Sequence, residues 1–368
     1  MRWTRRVCAQ ALLALSLWGC GDSEQPPGPP PEPDPLELTS YPLELNPDLL
    51  KADEEGVYIL GTTHPSNPEP GPQPIQQALY RTSTREPQES LTRLAETNAS
   101  DFVVGPSHLY FIELGQLVET PQGPQRQGAL SRVPKAGGAK ERITESLELF
   151  APISSAMVLV GPHVYWLNRA PNQSSQALYR TTADSTGPIE RLATAPGTST
   201  LNLMANATHL YWLAVRFEPQ TTPRTWNGLF RVPLSSPTAS PEMVLTWPHD
   251  VRLNVSDGSR NPVALTPAGI FAGLGDPGNA TLALLPLEPG AGATSPTILE
   301  PLPDDITDMQ AHRGTLYFST RLGRGFRSRA LNGTESTQQL TSHHPSSMAV
   351  NDAGIFFTDG RSIWRKKL

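Results

Sequence analysis

One pattern constrains this chain more than any other. A short apolar core with a central aromatic recurs seven times: Gly56–Leu60, His108–Ile112, His163–Leu167, His209–Leu213, Gly269–Gly273, Thr315–Ser319 and Gly354–Thr358. The central rings are Tyr58, Tyr110, Tyr165, Tyr211, Phe271, Tyr317 and Phe356, spaced by 39 to 60 residues. A period near ~50 signals a solenoid, a propeller or an array. Each copy is five residues long, with the alternation of a strand rather than the spacing of a helix.

The unit holds more than this core. A short apolar strand ending in a turn precedes it, as in LMANATHLYW. A third strand follows beyond a variable connection, as in ALYRT (Ala78–Thr82 and Ala177–Thr181) and GLFRV (Gly228–Val232). A fourth closes most units, as in IERLATA and PEMVLTW. Four short strands at this period describe a propeller blade. The 39 prolines agree, because proline shortens both helices and strands. The expectation is an all-β, seven-bladed β-propeller over residues 36–368, with six blades as the runner-up.

The seventh unit ends at Leu368 after its third strand, while Leu36–Tyr41 resembles a fourth strand without a unit. Pairing the two would close the ring by joining the N-terminal strand to the last blade, leaving no open edge.

The segments IFFTD (Ile355–Asp359), VYWLN (Val164–Asn168) and LYWLA (Leu210–Ala214) resemble the repeats of YWTD, NHL and TolB-like propellers, as found in bacterial surface lipoproteins. YWTD propellers have six blades and a repeated acid that survives here only at Asp359, so that family's ligand chemistry is not carried over.

The first residues read as an address. Arg2, Arg5 and Arg6 precede a largely apolar stretch, Val7–Trp18, of signal-peptide length. Leu17-Trp18-Gly19-Cys20 resembles a bacterial lipobox, which implies removal of residues 1–19 and lipidation of Cys20. Residues 20–35 follow as a tether, with seven prolines between Gly21 and Pro35. The only other cysteine, Cys8, lies inside the signal, so the mature chain can form no disulfide. The expected location is the bacterial envelope, at the outer membrane or cell surface, with the lipid as the only membrane contact. The mature chain carries 26 basic and 35 acidic residues, a net charge of −9, and lacks the basic footprint of nucleic-acid binding.

Two function classes remain. One is a non-enzymatic, monomeric protein that binds an envelope protein or glycan. The other is a propeller enzyme, lactonase- or hydrolase-like or quinoprotein-like, with a site at the channel mouth. No catalytic residue, metal set or cofactor is assigned. The candidate binding residues lie on long connections between second and third strands: Arg169, Asn172, Arg216, Phe217, Arg224 and Trp226, near many prolines. Arginine and aromatic side chains anchor interfaces, and proline pre-orders loops. The candidate channel-mouth residues lie on connections between blades: Asp101, His249, Asp250, Asp304, Asp305, His343 and His344. Such connections are expected to be solvated loops, though a ring of His and Asp could hold a cation.

Two repeated residues are read as scaffold. His108, His163 and His209 sit in equivalent turns of successive blades, too far apart to share an ion. Arg81, Arg132, Arg180, Arg231 and Arg365 recur once per blade, as a carbonyl cap or an inter-blade ion pair would.

Overall fold

The computed structural model describes residues 37–39, 45–63, 76–84, 91–121, 123–146, 149, 157–168, 176–184, 187–196, 199–218, 224–248, 253, 262–276, 279–288, 295–302, 304–321, 325–332, 336–341, 345–360 and 362–368. Cys20 and the tether lie outside them.

The described residues form seven four-stranded antiparallel sheets. After β1 (Glu37–Thr39), blade 1 holds β2 (Leu45–Ala52), β3 (Val57–Thr63), β4 (Gln76–Thr82) and β5 (Thr92–Glu96). Blade 2 holds β6 (Phe102–Val104), β7 (His108–Thr120), β8 (Gly123–Pro134) and β9 (Glu141–Ser146). Blade 3 holds β10 (Met157–Val160), β11 (His163–Asn168), β12 (Ala177–Thr182) and β13 (Glu190–Thr194). Blade 4 holds β14 (Ser199–Ala205), β15 (His209–Glu218), β16 (Arg224–Pro233) and β17 (Glu242–Pro248). Blade 5 holds β18 (Val263–Thr266), β19 (Gly269–Asp276), β20 (Asn279–Leu285) and β21 (Thr297–Pro301). Blade 6 holds β22 (Ile306–His312), β23 (Thr315–Thr320), β24 (Phe326–Ala330) and β25 (Gln338–Thr341). Blade 7 has β26 (Ser347–Asn351), β27 (Gly354–Thr358) and β28 (Ile363–Lys366), and its fourth strand is β1. The closure expected from the sequence is present, with Glu37 opposite Arg365, Leu38 opposite Trp364 and Thr39 opposite Ile363.

Seven apolar clusters hold the ring, one between each pair of neighbouring blades. Side chains alternate along a strand, so each second strand serves two clusters. Tyr58 and Leu60 pack toward blade 2, against Phe102, Leu109 and Phe111. Val57 and Ile59 pack toward blade 7, against Ala349 and Phe356. Tyr110 likewise packs toward blade 3, Tyr165 toward blade 4 and Tyr211 toward blade 5. Both faces are buried, and both carry aromatic rings. Phe111, Trp166, Trp212, Phe318 and Phe357 place a second ring on the opposite face in five blades. Trp166 stacks on Tyr179 of its own blade, with centroids 5.8 Å apart.

The repeated arginines bridge blades at one end of the ring. Arg81 donates to Lys135 O (3.1 Å), Arg132 to Ala183 O (3.0 Å) and Arg231 to Leu287 O (2.9 Å). Each acceptor lies just past the third strand of the following blade. Arg132, Arg180 and Arg231 also pair with Glu141, Glu190 and Glu242 on the fourth strand of their own blade. These are charge-assisted bonds repeated around the ring, so they serve the scaffold rather than a single site.

Candidate functional site

The first strand of every blade lines the middle of the ring. Ladder pairing puts one residue of each opposite the central aromatic: Lys51, Val103, Val158, Met204, Ala264, Gln310 and Ala349. Five of them, Lys51, Val103, Val158, Met204 and Gln310, line a cavity of about 470 Å³. Its wall is unequal. Blades 2 to 5 contribute Val103, Val158, Leu159, Met204, Ala205 and Leu265. The polar lining groups are Lys51, Asp101, Asp308 and Gln310.

Each polar group stitches one first strand to a neighbour. Lys51 Nζ lies 2.7 Å from Asp101 Oδ1 and also donates to Phe102 O, joining blades 1 and 2. The Gln310 amide donates to Met348 O (2.7 Å) and accepts from Val350 N–H (3.1 Å), joining blades 6 and 7 as a strand would. Asp308 Oδ1 accepts from Met309 N–H (2.9 Å) and Oδ2 from Met348 N–H (2.8 Å). Ser347 donates its hydroxyl to Asp308 (3.4 Å) and accepts from Leu50 N–H (3.0 Å), carrying the chain of bonds into blade 1. Burial pushes the Asp308 carboxyl up to about 7, against the pull of its N–H donors, Ser347 and Lys51.

Of the expected channel-mouth residues, the structure brings only Asp101 to the cavity wall among those described. It is held there by Lys51 and by Phe102 N–H (2.7 Å). Asp304 and Asp305 are buried, not solvated, which corrects the expectation of open loops at this connection. Arg321 N–H donates to Asp305 O (2.8 Å), fastening the connection to the end of β23. His249, Asp250, His343 and His344 lie outside the described residues. Among the described residues no group of three or more His, Cys, Asp or Glu side chains is placed to hold a metal ion.

The three turn histidines each lie beside the tyrosine two residues on, with centroids 5.8 to 6.2 Å apart. Burial, then Arg132, pulls the His108 imidazole below its ordinary value, as suits a packing role.

The expected binding loops need a larger correction. Leu114–Gly128 and Ala214–Asn227 are mostly strand. The β7–β8 pairing continues to Thr120 opposite Gly123, whereas β9 pairs with β8 only as far as Gly128. The β15–β16 pairing continues to Glu218 opposite Arg224, whereas β17 stops at Trp226. Two two-stranded ribbons therefore outrun their blades. The reason is local. Adjacent antiparallel segments satisfy each other's backbone groups, and Gly123 supplies the positive φ of 99° at the β7–β8 turn. Arg216 stands opposite Trp226 and Phe217 opposite Thr225, so these candidates are strand residues. Arg169 and Asn172 lie outside the described residues.

The base of the blade 2 ribbon is firmly held. Asn98 accepts from Leu114 N–H and donates to Leu114 O, both at 2.9 Å. Glu113 is buried, accepting from Ser131 (2.8 Å) and Lys140 (2.9 Å). Farther out, Leu117 is exposed. Strand direction alternates through each blade, so both ribbons open on the same face as the connections between blades.

No protein-family model matches the sequence, and no curated protein matches it. Solved structures do match by shape. The chain is similar to the β-propeller domain of the Trilobed protease from Pyrococcus furiosus, at 9% identity and a TM-score of 0.56, over 88% of this chain and 97% of that one. That domain has an open velcro topology, whereas β1 closes the ring here. The chain is also similar to the extracellular domain of BT4673 from B. thetaiotaomicron (13% identity, TM-score 0.52), covering 90% of this chain and 39% of that one. A third match is the acylaminoacyl peptidase of Pyrococcus horikoshii (7% identity, TM-score 0.52), covering 89% of this chain and 54% of that one. At these identities the likeness shows the β-propeller fold alone.

Proposed function

We propose that this chain is an exported bacterial lipoprotein, anchored through Cys20, whose propeller binds a protein or glycan of the envelope. The lipobox-like Leu17–Cys20, the proline-rich tether and the resemblance to lipoprotein propellers support export and anchoring. The observation that carries binding is the pair of ribbons, β7–β8 and β15–β16, that extend past their blades on one face. A blade needs no such extension to pack. A ribbon held at its base by Asn98, Glu113 and Lys140 loses little freedom when it docks. Its outer part presents Leu117, and the second ribbon carries Phe217 and Arg224 beyond a root at Arg216 and Trp226, where β17 still pairs. Prior use of the acids as inter-blade stitches favours binding over catalysis: Asp101 and Asp308 already hold strands together.

Pull-down from envelope extract tests the reading. Wild-type protein should retain a partner that the Phe217→Ala/Trp226→Ala double variant loses while keeping its thermal transition. Retention undiminished by that variant, but abolished by filling the channel, would move the site to the channel and favour the enzyme reading. Metabolic labelling with a palmitate analogue tests the anchor: wild type should label, and Cys20→Ala should not.

A further inference from the structure

We infer that the free edge of β7 in the blade 2 ribbon accepts an extended strand of a partner protein, pairing antiparallel and carrying a basic residue two positions before an apolar one. The inference rests on the ribbon face being the binding face, and it names the partner as a peptide segment rather than a glycan. β7 continues to Thr120, but β6 accompanies it only from Leu109 to Phe111. Among the described residues no strand pairs with the outer part of β7 on that side. An antiparallel ladder alternates pairs that exchange both main-chain bonds with pairs that exchange none, and the second kind turn their N–H and C=O groups outward. The hairpin closes on Thr120 opposite Gly123, so Glu119 opposite Pro124 is a pair of the second kind, as suits a proline without an N–H. Leu117 opposite Arg126, two residues on, is another. The two edges of the ribbon therefore differ. The β8 edge lacks a donor at Pro124, which blunts it against pairing. The β7 edge is complete, with N–H and C=O from both Leu117 and Glu119. Such an edge is a template for strand addition. In the blade 4 ribbon β14 follows β15 as far as Val215, so less edge is left there.

Side chains define the occupant. Leu117 and Glu119 share one face of the strand, and both are exposed. Glu119 forms no ion pair among the described residues. Cross-strand neighbours that suit this face are an aliphatic residue beside Leu117 and Lys or Arg beside Glu119. In an antiparallel strand the residue beside Glu119 comes first, which gives the order basic, any, apolar. A second copy of this chain fits less well. Residues 114–120 hold no Lys or Arg, so two β7 edges cannot match Glu119 with a cation. The β8 edge of a copy lacks the donor at Pro124.

The probes are three synthetic peptides: TVTKTVTK, its charge-reversed relative TVTETVTE, and TVTKTVTK N-methylated at each valine and lysine, whose N–H groups would face the edge. They are titrated by saturation-transfer NMR against the full chain carrying Cys20→Ser, so that no detergent is needed. TVTKTVTK should bind about tenfold or more tighter than its N-methylated form and about threefold or more tighter than TVTETVTE. Leu117→Pro removes one outward donor and keeps the ladder to β8, so it should lower the affinity about tenfold with the thermal transition preserved. Glu119→Lys should invert the preference between the two charged peptides, and it keeps the test decisive if Leu117→Pro fails to fold. Equal binding of the N-methylated peptide, a charge preference unchanged by Glu119→Lys, or no saturation transfer to TVTKTVTK up to its solubility limit would each overturn the inference. A partner from envelope extract that Phe217→Ala/Trp226→Ala loses but a folded Leu117→Pro retains in full would also overturn it, with the binding face left standing. Peptide binding as expected, with no partner retained from extract, would support the edge and fail the earlier reading alone.

Discussion

Asp308 makes the stability of the ring depend on pH in a direction opposite to that of most carboxylates. Its carboxyl is fully buried at the joint of blades 6 and 7, and burial lifts it from 3.8 to about 7. An acid that is weaker folded than unfolded holds more protons in the folded state between those two values. Its contribution is fully present below about pH 4 and is lost as pH rises through about 7. At 1.36 kcal/mol per tenfold change in acidity, the loss is up to about 4 kcal/mol. Other groups shape the absolute profile, so the informative quantity is the difference from Asp308→Asn. That variant keeps one acceptor oxygen, as the protonated acid does, and has no charge to bury at any pH. Urea midpoints measured from about pH 4 to about pH 8, at constant slope, should converge at the acid end. Toward neutral pH the variant should gain on the wild type by up to the same ~4 kcal/mol. Parallel profiles across the range would mean that the carboxyl titrates normally, and would refute its burial between Met309 and Met348.

Gly128→Ala should destabilise by at least about 2–3 kcal/mol in urea unfolding, because a Cβ there would lie 1.3 Å from Leu149 O. Tyr165→Ala and Tyr211→Ala should each cost about 3–5 kcal/mol by the same assay, since both rings are buried between blades. Arg231→Met should cost about 1.5–3 kcal/mol by removing the donor to Leu287 O and the pairing with Glu242, read as a fall in the thermal midpoint.

The fold was legible because a propeller repeats its solution. A central aromatic every ~50 residues, with a turn before it and a strand after, locates three strands of each blade from local pattern alone. The orphan at Leu36–Tyr41 then fills the one vacancy, and β1 does pair with β28. What the pattern concealed is length. Residues 114–128, rich in glycine, proline and glutamine, and 214–227, with proline and threonine, look like loops one residue at a time. Yet each segment lies beside its own continuation, and cross-strand partners supply the hydrogen bonds that composition does not advertise. The second ring of each pair was visible in HLYFI, HVYWL and HLYWL, but its face follows from alternation rather than from residue type.

The channel was harder to read for a physical reason. Expectation went to the connections between blades, where His and Asp are conspicuous, and it reached Asp101 by that route. The groups that matter most, Lys51, Asp308 and Gln310, lie within strands, where polar residues pass for the solvent-facing half of an alternating pattern. In a propeller the first strand has no solvent-facing half of that kind. One edge faces the channel, and neighbouring first strands approach closely enough for side chains to replace ladder bonds, as Gln310 does across Met348 and Val350. The signal lay in comparing the repeats with one another. Opposite the central aromatic, five blades carry Val103, Val158, Met204, Ala264 and Ala349, whereas blades 1 and 6 carry Lys51 and Gln310. Two residues earlier, blades 2 and 6 carry Asp101 and Asp308. Departures from the repeat sit at joints 1–2 and 6–7, either side of the joint between blades 7 and 1 that Ser347 stitches through Leu50 N–H. Two of these three joints, 6–7 and 7–1, belong to the closing blade, the one blade assembled from both ends of the propeller and therefore the one whose neighbours gain most from being tied.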